Sequence, residues 1–296
     1  MFKRIPKLPI TLTVPANGDA NAAAAVQELL GGKFGEMSTL NNYMYQSNNF
    51  RNKKKLRPFY DLVASITAEE FGHVELVTNT INLLTRGTTT PGAPDTTPLQ
   101  NGLNKRLSHH FIVNAQTALA ADSQGRAWTG DNVFNSGNLV LDLLHNFFLE
   151  IGARTHKMRV YEMTDQQTAR EMIGYLLVRG GTHVMAYAKA IEIATGVDMM
   201  KMLPVPDLSN DCFDAARPYI AQGLSNVLYT WSDGEYQSIR YIWKGINPDT
   251  NQPFEVIEGT PEGGPIPDLD DIPEEFAPGI DRDMYEQIAR RLMQNM

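Results

Sequence analysis

Apolar residues recur at helical spacing along four long stretches of the chain, and helix-breaking residues fall mostly between those stretches. The first, 21–46, follows Asp19, a residue suited to capping a helix N-terminus. Gly31 and Gly32 lie inside it, and since each glycine costs a helix roughly 1 kcal/mol against alanine, the pair implies a break or the close approach of another backbone. The second stretch, 58–86, opens on Pro58, which a first helical turn accepts, and stops at Gly87. The third and fourth, 137–163 and 165–195, are separated only by Thr164 and Asp165 as stop and cap, and Gly196 ends the fourth. Between the second and third, residues 87–131 are rich in Thr, Pro, Gly and Asn, with one shorter helical stretch near 108–121. Two hairpins joined by one long crossover predict an all-α four-helix bundle.

The pattern changes after Gly196. Ten of the seventeen prolines lie between Pro204 and Pro278, a density that forbids long helices. A strand is expected at 254–257, and helical spacing returns at 281–296 through Met284, Ile288 and Leu292. The chain therefore divides into a bundle domain, 1–196, and a Pro-rich C-terminal arm, 197–296. The aromatics spread from Tyr219 to Phe254 favour packing, so the arm is expected to wrap a neighbouring subunit.

Composition narrows the partners. With 296 residues, 42% hydrophobic and 20% charged, the chain is an ordinary globular sequence able to bury a large core. A net charge of −8 offers no field for a polyanion, so no nucleic-acid partner is expected. The single cysteine, Cys212, excludes an internal disulfide and a thiolate metal cluster, and fits a reducing compartment. Prolines 6, 9 and 15 interrupt any signal-peptide core, and the most apolar segment, Leu139–Ala153, is broken by Asp142, His145 and Glu150 and is too short to span a bilayer. A cytoplasmic protein without a membrane partner is expected.

The candidate chemistry centres on Glu70-Phe71-Gly72-His73. Residues three apart share a helix face, so a carboxylate and an imidazole would meet at one point, although such a pair alone is more often solvated. The other helices each add one inward candidate: Glu36, Glu150 in an apolar run, and His183. An ionised glutamate among apolar neighbours is costly without a cation or partner. Glu36 and Glu70 are 34 positions apart and Glu150 and His183 are 33 apart, as antiparallel helices need to hold both at one height. Lys157 and Tyr43, seven residues after Glu150 and Glu36, lie within about 20° of the same faces and are candidates to touch the ligands; the alternatives are a surface lysine and a packing tyrosine. His109, His110, His145 and His156 fall off the faces.

Three glutamates and two histidines suit manganese, iron or zinc. Many di-iron bundles carry a second Glu-x-x-His; here Gly180 replaces that fourth glutamate. Two divalent ions among three carboxylates keep one net positive charge and could cycle between II,II and III,III states.

In Gly31-Gly32-Lys33-Phe34-Gly35-Glu36, Glu69-Glu70-Phe71-Gly72-His73, Ser136-Gly137-Asn138-Leu139-Val140 and Tyr175 to His183 the chain resembles the manganese catalases, the haem-free dimanganese family of the ferritin-like superfamily. The resemblance implies that Glu36 and His73 hold one manganese, Glu150 and His183 the other, and that Glu70 bridges both, giving two manganese ions per subunit and no haem. It implies disproportionation of hydrogen peroxide to water and dioxygen, with Glu70, Lys157 and Tyr43 serving the reaction. Leu149 and Gly180 stand where some members carry arginine and glutamate, so an arginine gate is not expected. Some relatives bind calcium between subunits, and Asp61, Ser232 and Gly234 resemble that site, although Thr230 stands in place of an asparagine. The family's usual assembly is a homohexamer. Rival readings are a di-iron oxidase or ferroxidase of the same superfamily and a coat-type relative with little turnover. In this register Glu70 is essential and Glu69→Ala mild.

Overall fold

The computed structural model describes residues 4–86, 117–203, 207–269 and 282–296. The first helical stretch is two helices, α1 (Ala20–Gly31) and α2 (Glu36–Asn48), followed by α3 (Arg57–Thr85), α4 (Leu139–Glu162) and α5 (Gln167–Thr195). These form the bundle, with α2 against α3 and α4 against α5 as its hairpins. None of the described helices is long and apolar enough to cross a membrane.

The glycines at 31 and 32 mark both a break and a close approach. A Cβ on Gly31 would lie 2.2 Å from the carbonyl oxygen of Ala121, so the returning crossover runs against α1 at a distance only glycine allows. Gln27 fastens the same segment, donating from Nε2 to the Leu119 and Ala121 carbonyls at 2.8 and 2.6 Å. The helix expected near 108–121 lies outside the described residues up to 116; from 117 to 121 the chain is not helical, and Ala121 bridges Ala127.

Helix ends follow local chemistry. Asp19 caps α1, accepting from the amides of Asn21 and Ala22 at 3.0 and 2.9 Å. Pro58 sits in the first turn of α3, which ends at Thr85; Gly87 lies outside the described residues. The cap between α4 and α5 differs from expectation. Gln166 accepts from the Ala169 amide at 3.0 Å, while Asp165 is drawn away to Arg170 at 2.7 Å. The fourth helix does stop at Gly196, in the left-handed conformation.

Two apolar clusters fill the bundle, one holding Leu29, Leu76, Leu83, Ile173 and Leu176, the other Leu62, Ile66, Phe147, Val184 and Trp243. On every bundle helix they leave a gap at one height: 36–39 on α2, 69–73 on α3, 150–157 on α4 and 179–183 on α5. That gap is polar and buried.

Residues 207–269 lie against the chain's own bundle. Phe213 and Tyr229 join the first cluster, and Trp243 and Phe254 the second. The segment includes a short helix α6 (Arg217–Ala221) and strand β2 (Val227–Tyr229), which pairs in parallel with β3 (Glu255–Ile257), where a strand was expected. The N-terminal β1 (Lys7–Leu8) pairs antiparallel with β4 (Gly264–Pro265). The expectation of an arm over a neighbour is thereby narrowed to the chain's end, where α7 (Arg282–Met293) exposes Met284, Ile288 and Leu292.

Gly31→Ala is expected to destabilise the protein by about 1–3 kcal/mol through overpacking against a backbone carbonyl, read as a lower urea midpoint. Gly130→Ala, where a Cβ meets nothing within 4 Å, should stay within about 0.5 kcal/mol of the parent.

Candidate metal centre

The polar gap holds the five side chains singled out from the sequence, all buried. The break at 32–35 makes Glu36 the first residue of α2, where the helix dipole favours a carboxylate. Donor atoms of Glu36, Glu70 and His73 lie within 4.8 Å of one another, and so do those of Glu70, Glu150 and His183. Glu70 belongs to both triads. Its Oε2 is 3.3 Å from Nδ1 of His73 and its Oε1 is 3.1 Å from Nδ1 of His183. Nδ1 of His73 is also 3.6 Å from Glu36, and Nδ1 of His183 is 3.2 Å from Glu150.

These residues fit a pair of divalent cations. Both ring nitrogens of His73 and Nε2 of His183 are buried without a hydrogen bond of ordinary geometry, a costly arrangement for polar groups in a core. A cation within the first triad would supply the partner that Nδ1 of His73 lacks, while Nε2 of each histidine faces Glu69.

Around the triads sit groups that hold the carboxylates. Lys157 places Nζ 2.8 Å from Glu36, and the Tyr43 hydroxyl donates to Glu150 at 2.8 Å. Both were candidates from helical spacing, and neither is at the surface. Burial pushes the Lys157 ammonium down, but Glu36, Glu150 and Glu70 outweigh it and leave it above the ordinary lysine value. Burial and Glu150 hold the Tyr43 hydroxyl well above the ordinary tyrosine range, so it remains a donor. Thr39, not singled out beforehand, donates to Glu70 at 2.7 Å. Its signal was the three-residue spacing from Glu36.

Glu69, whose replacement was expected to be mild, is 1% exposed and lies between both ligand-candidate histidines, 3.5 Å from Nε2 of His73 and 3.4 Å from Nε2 of His183. Arg179 grips it through Nε at 2.5 Å and Nη2 at 3.0 Å, and Trp231 donates from Nε1 at 3.2 Å. Burial alone would raise this carboxyl; Arg179 and His183 instead hold it well below the usual range. One carboxylate thus faces Nε2 of two imidazoles, with Nδ1 of each facing the triads.

The histidines respond to the same charges. Burial pushes both down, yet Glu70 beside His73, and Glu69 with Glu150 beside His183, reverse this and leave both well above the ordinary histidine value.

The position of the absent fourth glutamate is filled from another helix. A Cβ on Gly180 would lie 3.2 Å from Cγ of Arg154 and 3.8 Å from Oε2 of Glu150. The Arg154 guanidinium turns away, donating to the Leu177 and Asp207 carbonyls at 2.6 and 2.9 Å and to Asn210 at 2.8 Å. Burial pushes it down to about 10. Leu149 is buried beside Glu150, so no arginine precedes that residue.

Other candidates lie elsewhere. Asp61 is engaged at one carboxylate oxygen by Arg57 and at the other by Ser238. The Ser232 carbonyl accepts from Thr230 at 2.9 Å, and the Gly234 amide donates to Glu258 at 2.8 Å. Each of the three thus bonds outside the group expected to hold calcium. His145 stacks on Phe134 and bonds Asn42, His156 meets Phe34 edge-on, and His109 and His110 lie outside the described residues.

A family model described as manganese containing catalase matches residues 1–296. A manganese catalase of Bacillus subtilis is 28% identical over 265 residues, covering 88% of this chain and 91% of that one. The uncharacterized protein YjqC of Bacillus subtilis strain 168 is 30% identical over 236 residues, covering 75% and 81%. Among solved structures, wild-type KatB, a manganese catalase from Anabaena, superposes with a TM-score of 0.56 at 26% identity, over 66% of this chain and 81% of that one. With a bundle of that fold and two buried triads sharing a glutamate, the chain belongs to the manganese-containing catalases.

Proposed function

We propose that this chain disproportionates hydrogen peroxide to water and dioxygen at two manganese ions per subunit. Glu36 and His73 would hold one ion, Glu150 and His183 the other, and Glu70 would be shared between them. The observation that carries this reading is the division of Glu70, one oxygen facing each histidine. When bound, the manganese pair supplies two-electron redox chemistry between II,II and III,III states, matched to a two-electron substrate. The protein holds that chemistry in place. Lys157 and Tyr43 fix the outer carboxylates, Thr39 fixes the shared one, and Glu69 aims both imidazoles. Burial of every ligand keeps bulk water from the reacting centre.

The donor set also suits iron, so metal loading discriminates between catalase and ferroxidase chemistry. Protein expressed with manganese should hold about two Mn per chain and evolve dioxygen from peroxide without a haem absorption band; iron-dependent oxidation without dioxygen would sink the reading in favour of an oxidase. Protein that assembles and takes up manganese but evolves no dioxygen would favour a coat-type role. In the same preparation Glu70→Ala should lose nearly all activity and retain less than the full metal content. Calcium at Asp61, Ser232 and Gly234 would have to displace Arg57 from Asp61, and elemental analysis should find manganese without calcium.

The bundle, 1–196, is the catalytic domain, and 197–296 forms the second region. Its final helix, with Met284, Ile288 and Leu292 along one stripe, covers a neighbouring subunit in a homohexamer. A cytoplasmic setting accords with the single cysteine.

Glu69→Ala would strand Arg179 in the core. It is expected to cost about 3–5 kcal/mol of stability and about 10–100-fold in manganese affinity, measured by urea unfolding and metal titration. An unchanged affinity in a folded Glu69→Ala protein would show that the histidines do not depend on it.

Metal uptake should also release protons. Both histidines are held above their ordinary value without metal, so at neutral pH they carry protons that ligation must displace, about two per pair of ions. Affinity therefore falls as pH drops, because protonation then competes better. Titration in weak buffer should record acidification; metal uptake without proton release would mean that the imidazoles are not ligands.

A further inference from the structure

A cavity of about 280 Å³ opens at the end of the bundle where α2 finishes and α4 begins. It has room for several molecules the size of water, each about 30 Å³ in the liquid. Its wall carries the amides of Asn49, Asn52 and Asn138 beside the charged Arg51 and Asp142, and Gln46 and Asn146 complete it. These two buried amides bond reciprocally: Gln46 Nε2 donates to Asn146 Oδ1 at 2.9 Å, and Asn146 Nδ2 donates to Gln46 Oε1 at 2.7 Å.

The pair stands one helical turn from Glu150 on α4 and one turn past Tyr43 on α2, whose hydroxyl reaches Glu150. Gln46 is three residues after Tyr43 on α2, and Asn146 is four before Glu150 on α4, a rise of about 5 Å. Across that turn lies Tyr187. Its ring packs on Tyr43 with centroids 5.3 Å apart, and its hydroxyl, fully buried with Asn146 and Tyr43 as polar neighbours, makes no hydrogen bond of ordinary geometry. That hydroxyl is a polar station between the amide pair and the Tyr43–Glu150 contact, engaged weakly by Asn146 and Tyr43.

We infer that this cavity is the route by which peroxide reaches the metal centre, with the Gln46–Asn146 pair as its neck and the Tyr187 hydroxyl as the station beyond it. The inference rests on the catalytic reading above and adds the path and the residues that select for it. Hydrogen peroxide is uncharged and both donates and accepts, so it can substitute for either amide as the pair parts. A larger solute gains no such exchange at a two-residue neck. Gln46, Asn146 and Tyr187 are positioning residues on this path.

A second cavity, of about 490 Å³, lies against the outer face of α5. It is a poorer route. The α5 backbone at 178–185 and the Arg154 side chain, whose guanidinium is committed to Leu177, Asp207 and Asn210, stand between it and Glu150.

The test uses the manganese-loaded full chain. Asn49→Trp, and independently Leu139→Trp, fill the first cavity from its rim; Ala221→Trp fills the second. The expected result is a fall of about tenfold in kcat/KM for peroxide with either of the first two, together with a slower second-order entry of azide, followed by the absorbance of the loaded centre. Manganese content and melting temperature should stay at the parent's values, and Ala221→Trp should match the parent throughout. Full kcat/KM and azide entry in both rim variants would overturn the route, as would a loss confined to Ala221→Trp. Failure of the catalytic reading is distinct, because the loaded parent would then evolve no dioxygen.

Discussion

The whole structure is arranged around four carboxylates buried at one height of a helical bundle. Glu36, Glu69, Glu70 and Glu150 are each no more than 1% exposed, and removing even one charge from water costs several kcal/mol after relaxation. Cationic side chains counter this in a definite order. Arg179 is given to Glu69 and Lys157 to Glu36, which leaves Glu70 and Glu150 facing two imidazoles. The imidazoles can answer as imidazolium or as ligands of metal ions. With Arg179 and Lys157 set against them, the four carboxylates keep two negative charges, which two imidazolium groups would cancel and two divalent cations would exceed.

Much of this was legible because helices convert sequence spacing into position. Separations of 34 and 33 residues across two hairpins placed four functional groups at one height, and the structure has that layer between two apolar clusters. Lys157 and Tyr43 were legible for the same reason, a heptad returning to nearly the same face. What escaped lay between elements or off the expected face. Glu69 was discounted because it neighbours Glu70 and so points elsewhere; at this height α3 is enclosed on both sides, and the other side is met by Arg179. An arginine in the apolar run from Tyr175 to Val178 was itself the sign, since a buried guanidinium requires an acid. The cap at Gln166 could not be read from residue type, because Asp165 is the better capping residue and was taken by Arg170.

The exchange of a fourth glutamate for Gly180 is more than a deletion. The vacated space is occupied by the stem of Arg154, one turn beyond Glu150 on the facing helix. A carboxylate at 180 would have lowered the charge of the centre by one, whereas here the stem of Arg154 takes its place, with Asp207 and Asp249 acting on the guanidinium. Three carboxylates with two divalent ions leave a positive remainder, which Arg154 and Lys157 increase.

The segment after the bundle is joined to this electrostatic arrangement. Arg179, whose grip on Glu69 orients both histidines, also donates to the carbonyls of Leu224 and Val227 at 2.6 and 2.8 Å. Trp231, two residues past β2, reaches the same carboxylate. The guanidinium therefore divides its donors between a carboxylate at the metal layer and the backbone of a strand outside the four helices. If that strand were displaced, Arg179 would lose two buried acceptors and Glu69 one donor. The imidazoles would then lose the group that fixes their rotation. Residues 207–269 thus brace the arginine that holds Glu69 beside the two triads.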